Sequence, residues 1–181
     1  MNGKIAAEGL EKFQQRVAKL NNMFRNVTHL TPREVQRLRE ERGTDGVLLA
    51  DCRMSEEMAV SKLPGRCVSE TEFEKQLPTI LKERPVVVAY CTIGYRSSKF
   101  VEKYADETGL EMYNLSGGIL QWVVDGYPVV DSQQQSVLDV HTFSKSYADH
   151  LPDVYTSHTF AMPLASYVVS KLKSVWWTSS E

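Results

Sequence analysis

Val86-Val87-Val88-Ala89-Tyr90-Cys91-Thr92-Ile93-Gly94-Tyr95-Arg96-Ser97-Ser98 is the stretch on which the reading of the fold turns. Its apolar run, Val86 to Tyr90, is unbroken, as in strands covered on both faces of a parallel sheet. From Ser97 to Thr108 the pattern becomes helical, with Phe100, Val101, Tyr104 and Ala105 on one face, Lys99, Glu102, Lys103 and Asp106 on the other, and Gly109 as the stop. Cys91 to Arg96 therefore bridge the carboxyl end of a strand and the start of a helix, where open α/β sheets place their ligands.

The same alternation extends in both directions. Val47-Leu48-Leu49-Ala50 is a second buried-type strand, and Glu111 to Leu115 reads as a third. Thr31-Pro32-Arg33-Glu34 is a capping box with proline at the first helical position; Val35 and Leu38 point inward and Gly43 ends that helix. Thr71 to Lys82 carries Phe73, Leu77, Ile80 and Leu81 at helical spacing, with Pro78 expected to bend or shorten it. Ser116-Gly117-Gly118 opens a short helix with Ile119, Trp122 and Val123, which Gly126-Tyr127-Pro128 ends. Strand and helix alternate from about Val27 to Val130, which predicts right-handed crossovers and a parallel sheet with helices on both faces.

Outside this α/β domain, assigned to residues 27–131, lie two extensions. In residues 1–26, Leu10, Phe13, Val17, Leu20 and Phe24 draw one stripe down an amphipathic helix, expected to dock on its own domain or on a partner. In residues 132–181 the pattern dissolves into the polar linker Ser132-Gln133-Gln134-Gln135-Ser136 and a tail without strong period until Leu164 to Trp177. That last segment is rich in aliphatic and aromatic residues, and docking on the domain or on another protein is expected of it.

The chain has 181 residues, is 42% hydrophobic and carries a formal net charge of −2, which argues against an extended disordered chain and against a basic nucleic-acid surface. With no apolar run approaching the length of a span and no recognisable signal sequence, a cytoplasmic protein is expected and a membrane partner is not. Its cysteines, Cys52, Cys67 and Cys91, cannot all pair with one another and match neither a disulfide framework nor a zinc spacing. At least one thiol is left free for chemistry.

Cys91 is the candidate nucleophile. Backbone N–H groups of a loop curled around one point, the N-terminus of the following helix and the Arg96 guanidinium would together stabilise a thiolate or bind an anion. Gly94 gives the loop the freedom to curl. The size of the effect matters, because a free cysteine with a pKa of about 8.5 is only about 3% ionised at pH 7, whereas a drop of about two units makes it mostly thiolate. Cys52 and Cys67 lack such a loop and are read as structural; His29, His141, His150 and His158 lie outside these motifs and are read as ordinary surface or tail residues.

Three motifs in order resemble the rhodanese-like family of single-domain sulfurtransferases. Asp51-Cys52-Arg53 followed by Glu56-Glu57 and Leu63-Pro64-Gly65 is similar to the first signature of that family. Cys91-Thr92-Ile93-Gly94-Tyr95-Arg96-Ser97 resembles its active-site loop, and Asn114-Leu115-Ser116-Gly117-Gly118-Ile119 with Trp122 and Gly126-Tyr127-Pro128-Val129 its closing signature. The resemblance implies a five-stranded parallel sheet flanked by helices and a thiosulfate sulfurtransferase-like activity. Cys91 would take a sulfane sulfur as a persulfide from a small-molecule donor and pass it to a thiol or cyanide, with Thr92, Ile93, Gly94, Tyr95, Arg96 and Ser97 forming the cradle. Asp51 and Arg53 would brace the pocket, and neither a metal nor an organic cofactor is implied.

Two other readings are a non-catalytic binding or regulatory module and a phosphatase or arsenate reductase of the related fold. The latter resemble a loop with five residues between cysteine and arginine, whereas only Thr92, Ile93, Gly94 and Tyr95 separate Cys91 from Arg96. A shorter ring of amides suits one sulfur atom better than a tetrahedral phosphate. The protein is therefore expected to hydrolyse p-nitrophenyl phosphate negligibly and to gain hydrolysis when one glycine is inserted after Gly94; robust turnover by the unmodified chain, lost in Cys91→Ser, would reverse this reading.

Overall fold

The computed structural model describes residues 7–160. In chain order the first elements are α1 (Ala7–Met23), β1 (His29–Leu30), α2 (Pro32–Arg42), β2 (Val47–Asp51), α3 (Ser55–Val60), β3 (Cys67–Ser69), α4 (Glu70–Glu83), β4 (Val86–Tyr90), α5 (Tyr95–Thr108), β5 (Met112–Leu115), α6 (Gly118–Val124), β6 (Val129–Val130) and, past the point where the α/β pattern was expected to end, β7 (Ser136–Val137). After them come β8 (Asp139–His141), α7 (Lys145–Ala148) and β9 (Thr156–His158).

Strands β1 to β5 form one parallel sheet in the order β1-β5-β4-β2-β3. The unbroken apolar runs β2 and β4 occupy its interior, as their composition requires, and every residue of both is buried. Side chains alternate between the two faces. Val47 and Leu49 of β2 and Val88 and Tyr90 of β4 meet Phe13 and Val17 of α1, Val35 of α2, and Ile119 and Trp122 of α6. Leu48 and Ala50 of β2 and Val87 and Ala89 of β4 meet Phe73 and Ile80 of α4 and Phe100, Val101 and Tyr104 of α5. The same alternation carries Cys52 and Cys91, one residue beyond each strand, to the α4 and α5 face.

Local signals set most boundaries. The Thr31 and Ser69 hydroxyls accept from the Glu34 and Glu72 amides, and each glutamate returns a bond to the cap backbone. Pro78 does not shorten its helix, since α4 runs from Glu70 to Glu83. Leu81 is an exposed residue rather than a core one. Strand β3 is too short and mixed to show in sequence and exists because β2 offers it an edge, pairing Leu49 with Cys67 and Ala50 with Val68.

Beyond Asp131 the expected polar linker is a turn. Its carboxylate accepts from the Gln133 and Gln135 amides at 2.8 and 2.9 Å, folding β7 antiparallel onto β6. The following segment packs on the domain through Val140 and Leu151, and its buried His141 and His150 correct the expectation that these were surface residues. The stretch Leu164 to Trp177 lies outside the described residues. Among the described residues, no helix is long and apolar enough to cross a membrane.

Helix α1 docks on its own domain as one of the two expected outcomes. Phe13 is fully buried and its ring lies 5.3 Å from that of His150 in the C-terminal extension, while Arg16 lies over the Tyr147 ring. Phe13→Ala is expected to cost about 3 to 5 kcal/mol of unfolding free energy in urea titration, as for other fully buried aromatics; a loss below about 1 kcal/mol would mean that α1 does not belong to the folded unit.

Candidate functional site

The loop from Cys91 to Gly94 leaves the carboxyl end of β4 and enters α5 through Gly94, whose φ of 106° lies in a region that side chains disfavour. The turn brings the Gly94 amide to 3.2 Å from Cys91 Sγ. The Ser97 amide and hydroxyl also favour a charge on the sulfur, although the buried Ser97 Oγ makes no hydrogen bond. The carbonyls of the loop point the opposite way. Cys91 and Thr92 accept from the Ile119 and Leu120 amides at 2.9 and 3.2 Å, so the first turn of α6 uses its free N–H groups on the loop. Gly118 makes this approach possible, since a Cβ there would lie 2.2 Å from the Cys91 carbonyl oxygen.

Arg96 reaches back across the loop. Its Nη1 and Nη2 donate to Glu57 at 2.6 and 2.8 Å, and Nη2 also donates to Thr92 Oγ1 at 3.0 Å. The Thr92 hydroxyl then donates to Glu57 Oε1 at 3.0 Å, and the Met54 amide to Oε2 at 2.9 Å. The Glu57 side chain is fully buried. Burial alone would raise its pKa, but the bonds and charge of Arg96 outweigh that and hold the carboxyl below its ordinary range. Its stabilising contribution is therefore complete above the unfolded carboxyl pKa of about 4.3 and fades as the pH falls through the lower folded value. His141 Nδ1 comes within 4.0 Å of Glu57 but accepts the Phe143 amide at 3.1 Å. The ring is thus neutral, and burial lowers its pKa.

Cys91 is subject to the same opposition. Burial pushes the thiol up, whereas the Arg96 charge, the Ser97 amide and hydroxyl and the Gly94 amide pull it down, and the downward effects prevail. Cys52 and Cys67 go the other way: burial raises both, Cys67 to about 12.

Of the residues expected at the site, the structure brings Cys91, Thr92, Ile93, Tyr95 and Arg96 to the wall of one cavity of about 310 Å³, with Gly94 and Ser97 beneath the sulfur. Asp51 and Arg53 stand apart from it. Arg53 forks onto Asp51 at 2.9 and 2.7 Å and reaches the Ser61 carbonyl, while the Tyr90 hydroxyl donates to Asp51, so this network ties the ends of β2 and β4 to the segment after α3. Sequence reasoning missed Glu57, although it stands in the acidic pair of the first signature. It also missed Leu20, Phe143 and Tyr147, which complete the cavity and had no local signal. Among the described residues, no group of three or more His, Cys, Asp or Glu could hold a metal ion.

Residues 31–125, just over half of the chain, match the rhodanese-like domain, and the chain belongs to that family. It is 33% identical over 110 residues to a tRNA uridine(34) hydroxylase from Corynebacterium urealyticum, covering 56% of this chain and 36% of that protein. A tRNA uridine(34) hydroxylase from Kocuria rhizophila is 34% identical over 103 residues, covering 52% and 34%. The chain thus spans about a third of the length of these curated relatives. The crystal structure of a thiosulfate sulfurtransferase from Pseudomonas aeruginosa shares the fold at a TM-score of 0.52 with 18% identity, over 76% of this chain and 26% of that one.

If the cradle stabilises the thiolate as its geometry requires, the pH midpoint for alkylation of Cys91 lies below that of a free cysteine peptide. Arg96→Ala should move it upward, and Arg96→Lys, which keeps the charge, should move it less. A wild-type midpoint equal to that of the free peptide would contradict this account of the loop.

Proposed function

We propose that the protein is a sulfurtransferase in which Cys91 accepts a sulfane sulfur and carries it as a persulfide to a small-molecule acceptor. The observation that carries this reading is the Cys91 sulfur seated among the Gly94 and Ser97 donors, with a lowered pKa, at the floor of an open cavity. The thiolate attacks the terminal sulfur of a donor, whose remaining fragment departs with the electron pair of the broken bond. The outer sulfur then carries the negative charge and sits where the loop amides and helix N-terminus favour an anion. An acceptor thiolate or cyanide attacks that outer sulfur and regenerates Cys91. A module used only for binding has no need of a nucleophile in such a cradle, which sets the non-catalytic reading second.

The cavity walls bear on the donor. Leu20, Ile93, Tyr95, Phe143 and Tyr147 line the cavity together with Cys91, and Arg96 contributes the cation while its fork is engaged by Glu57. These walls favour an organic persulfide or polysulfide over thiosulfate, whose two charges would need further cations. The likeness to tRNA uridine(34) hydroxylases supports a further reading, in which this domain takes part in hydroxylating a tRNA uridine. Incubation with a wobble-uridine tRNA, followed by nucleoside mass analysis, distinguishes the two.

Incubating reduced protein with 3-mercaptopyruvate or an organic persulfide should add one reductant-labile sulfur to the peptide containing Cys91, and more readily than thiosulfate does. Equal uptake by Cys91→Ser would remove the assignment, and a preference for thiosulfate would remove the inference about the donor.

A further inference from the structure

Cys52 follows β2 as Cys91 follows β4. The ladder between the two strands pairs Ala50 with Ala89 and Asp51 with Tyr90, and the Cys52 amide donates to the Tyr90 carbonyl at 2.8 Å. In a parallel ladder a residue donates to the carbonyl preceding its partner, so this bond carries the register one step further and sets Cys52 opposite Cys91. Both side chains belong to the cluster on the α4 and α5 face. Neighbouring strands stand about 4.8 Å apart, inside the roughly 4.4 to 6.8 Å that a disulfide spans between Cα atoms. The two sulfurs also interact electrostatically, because after burial the Cys91 charge is the next cause that raises the Cys52 thiol.

We propose that Cys52 resolves the Cys91 persulfide, so that the protein also reduces sulfane sulfur to sulfide through a Cys52–Cys91 disulfide. This rests on the persulfide reading above. The Cys52 sulfur gives up its proton and attacks Cys91 Sγ. The bond between Sγ and the outer sulfur breaks, and the outer sulfur leaves as hydrosulfide with that electron pair and the proton. The sulfane sulfur is thereby reduced by two electrons and the two cysteines are oxidised to a disulfide. A low-molecular-weight thiol then restores both cysteines by two exchange steps and is itself oxidised to its disulfide.

Each partner has its own opening. Cys91 faces the cavity where a donor enters. Cys52 lines a second, larger cleft of about 850 Å³, between α3 and the first turns of α4 and α5, through which a reducing thiol can reach it. Arg96 borders both. Cys67 is on β3, with its sulfur 3.5 Å from the Tyr90 hydroxyl, and belongs to the opposite face, which makes it the natural control.

The test uses the full chain, reduced and freed of reductant, with one equivalent of 3-mercaptopyruvate, whose other product is pyruvate rather than a thiol or sulfide, and no added thiol. Wild-type protein should lose two hydrogens, release sulfide and yield a Cys52–Cys91 cross-linked peptide. Cys67→Ser should do the same. Cys52→Ser and Cys52→Ala should lose sulfide release and keep the added sulfur on Cys91. A wild-type protein that keeps the sulfur on Cys91 without a cross-link, or one cross-linked through Cys67, overturns the resolving role while leaving the persulfide reading intact. Failure of both Cys52 variants to take up any sulfur, with the fold verified by circular dichroism, overturns both.

Discussion

The buried carboxylate of Glu57 is the constraint on which the site depends. A charge with no exposure is expensive unless it is paired and hydrogen-bonded on all sides. Here the Arg96 fork, the Thr92 hydroxyl and the Met54 amide fill its acceptor positions. These donors come from α5, from the loop after β4 and from the start of α3, so satisfying one group fixes three segments relative to each other. The neutral His141 packs on the far side and brings the C-terminal extension into the same arrangement. The consequence for chemistry is that Arg96 is held rigid. It acts on Cys91 mainly as a fixed positive charge, and its hydrogen bonds are committed to building the loop.

A second constraint is directional. The amides of the Cys91 loop converge on the sulfur only if its carbonyls have partners elsewhere, because a buried backbone oxygen cannot be left without one. Helix α6 provides them with its first turn, and Gly118 allows the close approach. The polarity of the cradle is thus secured from behind by a helix that does not line the cavity. Cys91 sits at a place where burial acts against the thiolate and a fixed set of dipoles and one charge act for it. The same burial without those dipoles keeps Cys52 and Cys67 as thiols.

What was legible in sequence follows the range of the interactions involved. Thr31 with Glu34 announces a helix start because both partners lie within one turn, and Val86 to Tyr90 announces a buried strand because its composition suits no exposed face. Pro78 does not cut its helix short because the packing of Phe73 and Ile80 on either side holds the helix through it. Ser132 to Gln135 misled because polarity marks a turn and a linker alike, and only the pairing of β7 with β6 tells them apart. Glu57 was visible as an acidic residue but not as the partner of Arg96, since the bond closes over almost forty positions of chain.

The sequence by itself determined the α/β alternation, the cysteine at the end of a central strand and the short loop that surrounds it. These depend on periodicity, caps and glycine placement, which act within a few residues. Tertiary structure alone decided what surrounds Cys91. It placed Leu20 from α1 and Phe143 and Tyr147 from the extension around the cavity, and Cys52 opposite Cys91 in the register of the sheet. Register and docking are settled by which apolar faces can be buried together once the whole chain has collapsed, and no local window of sequence contains both partners of such a contact.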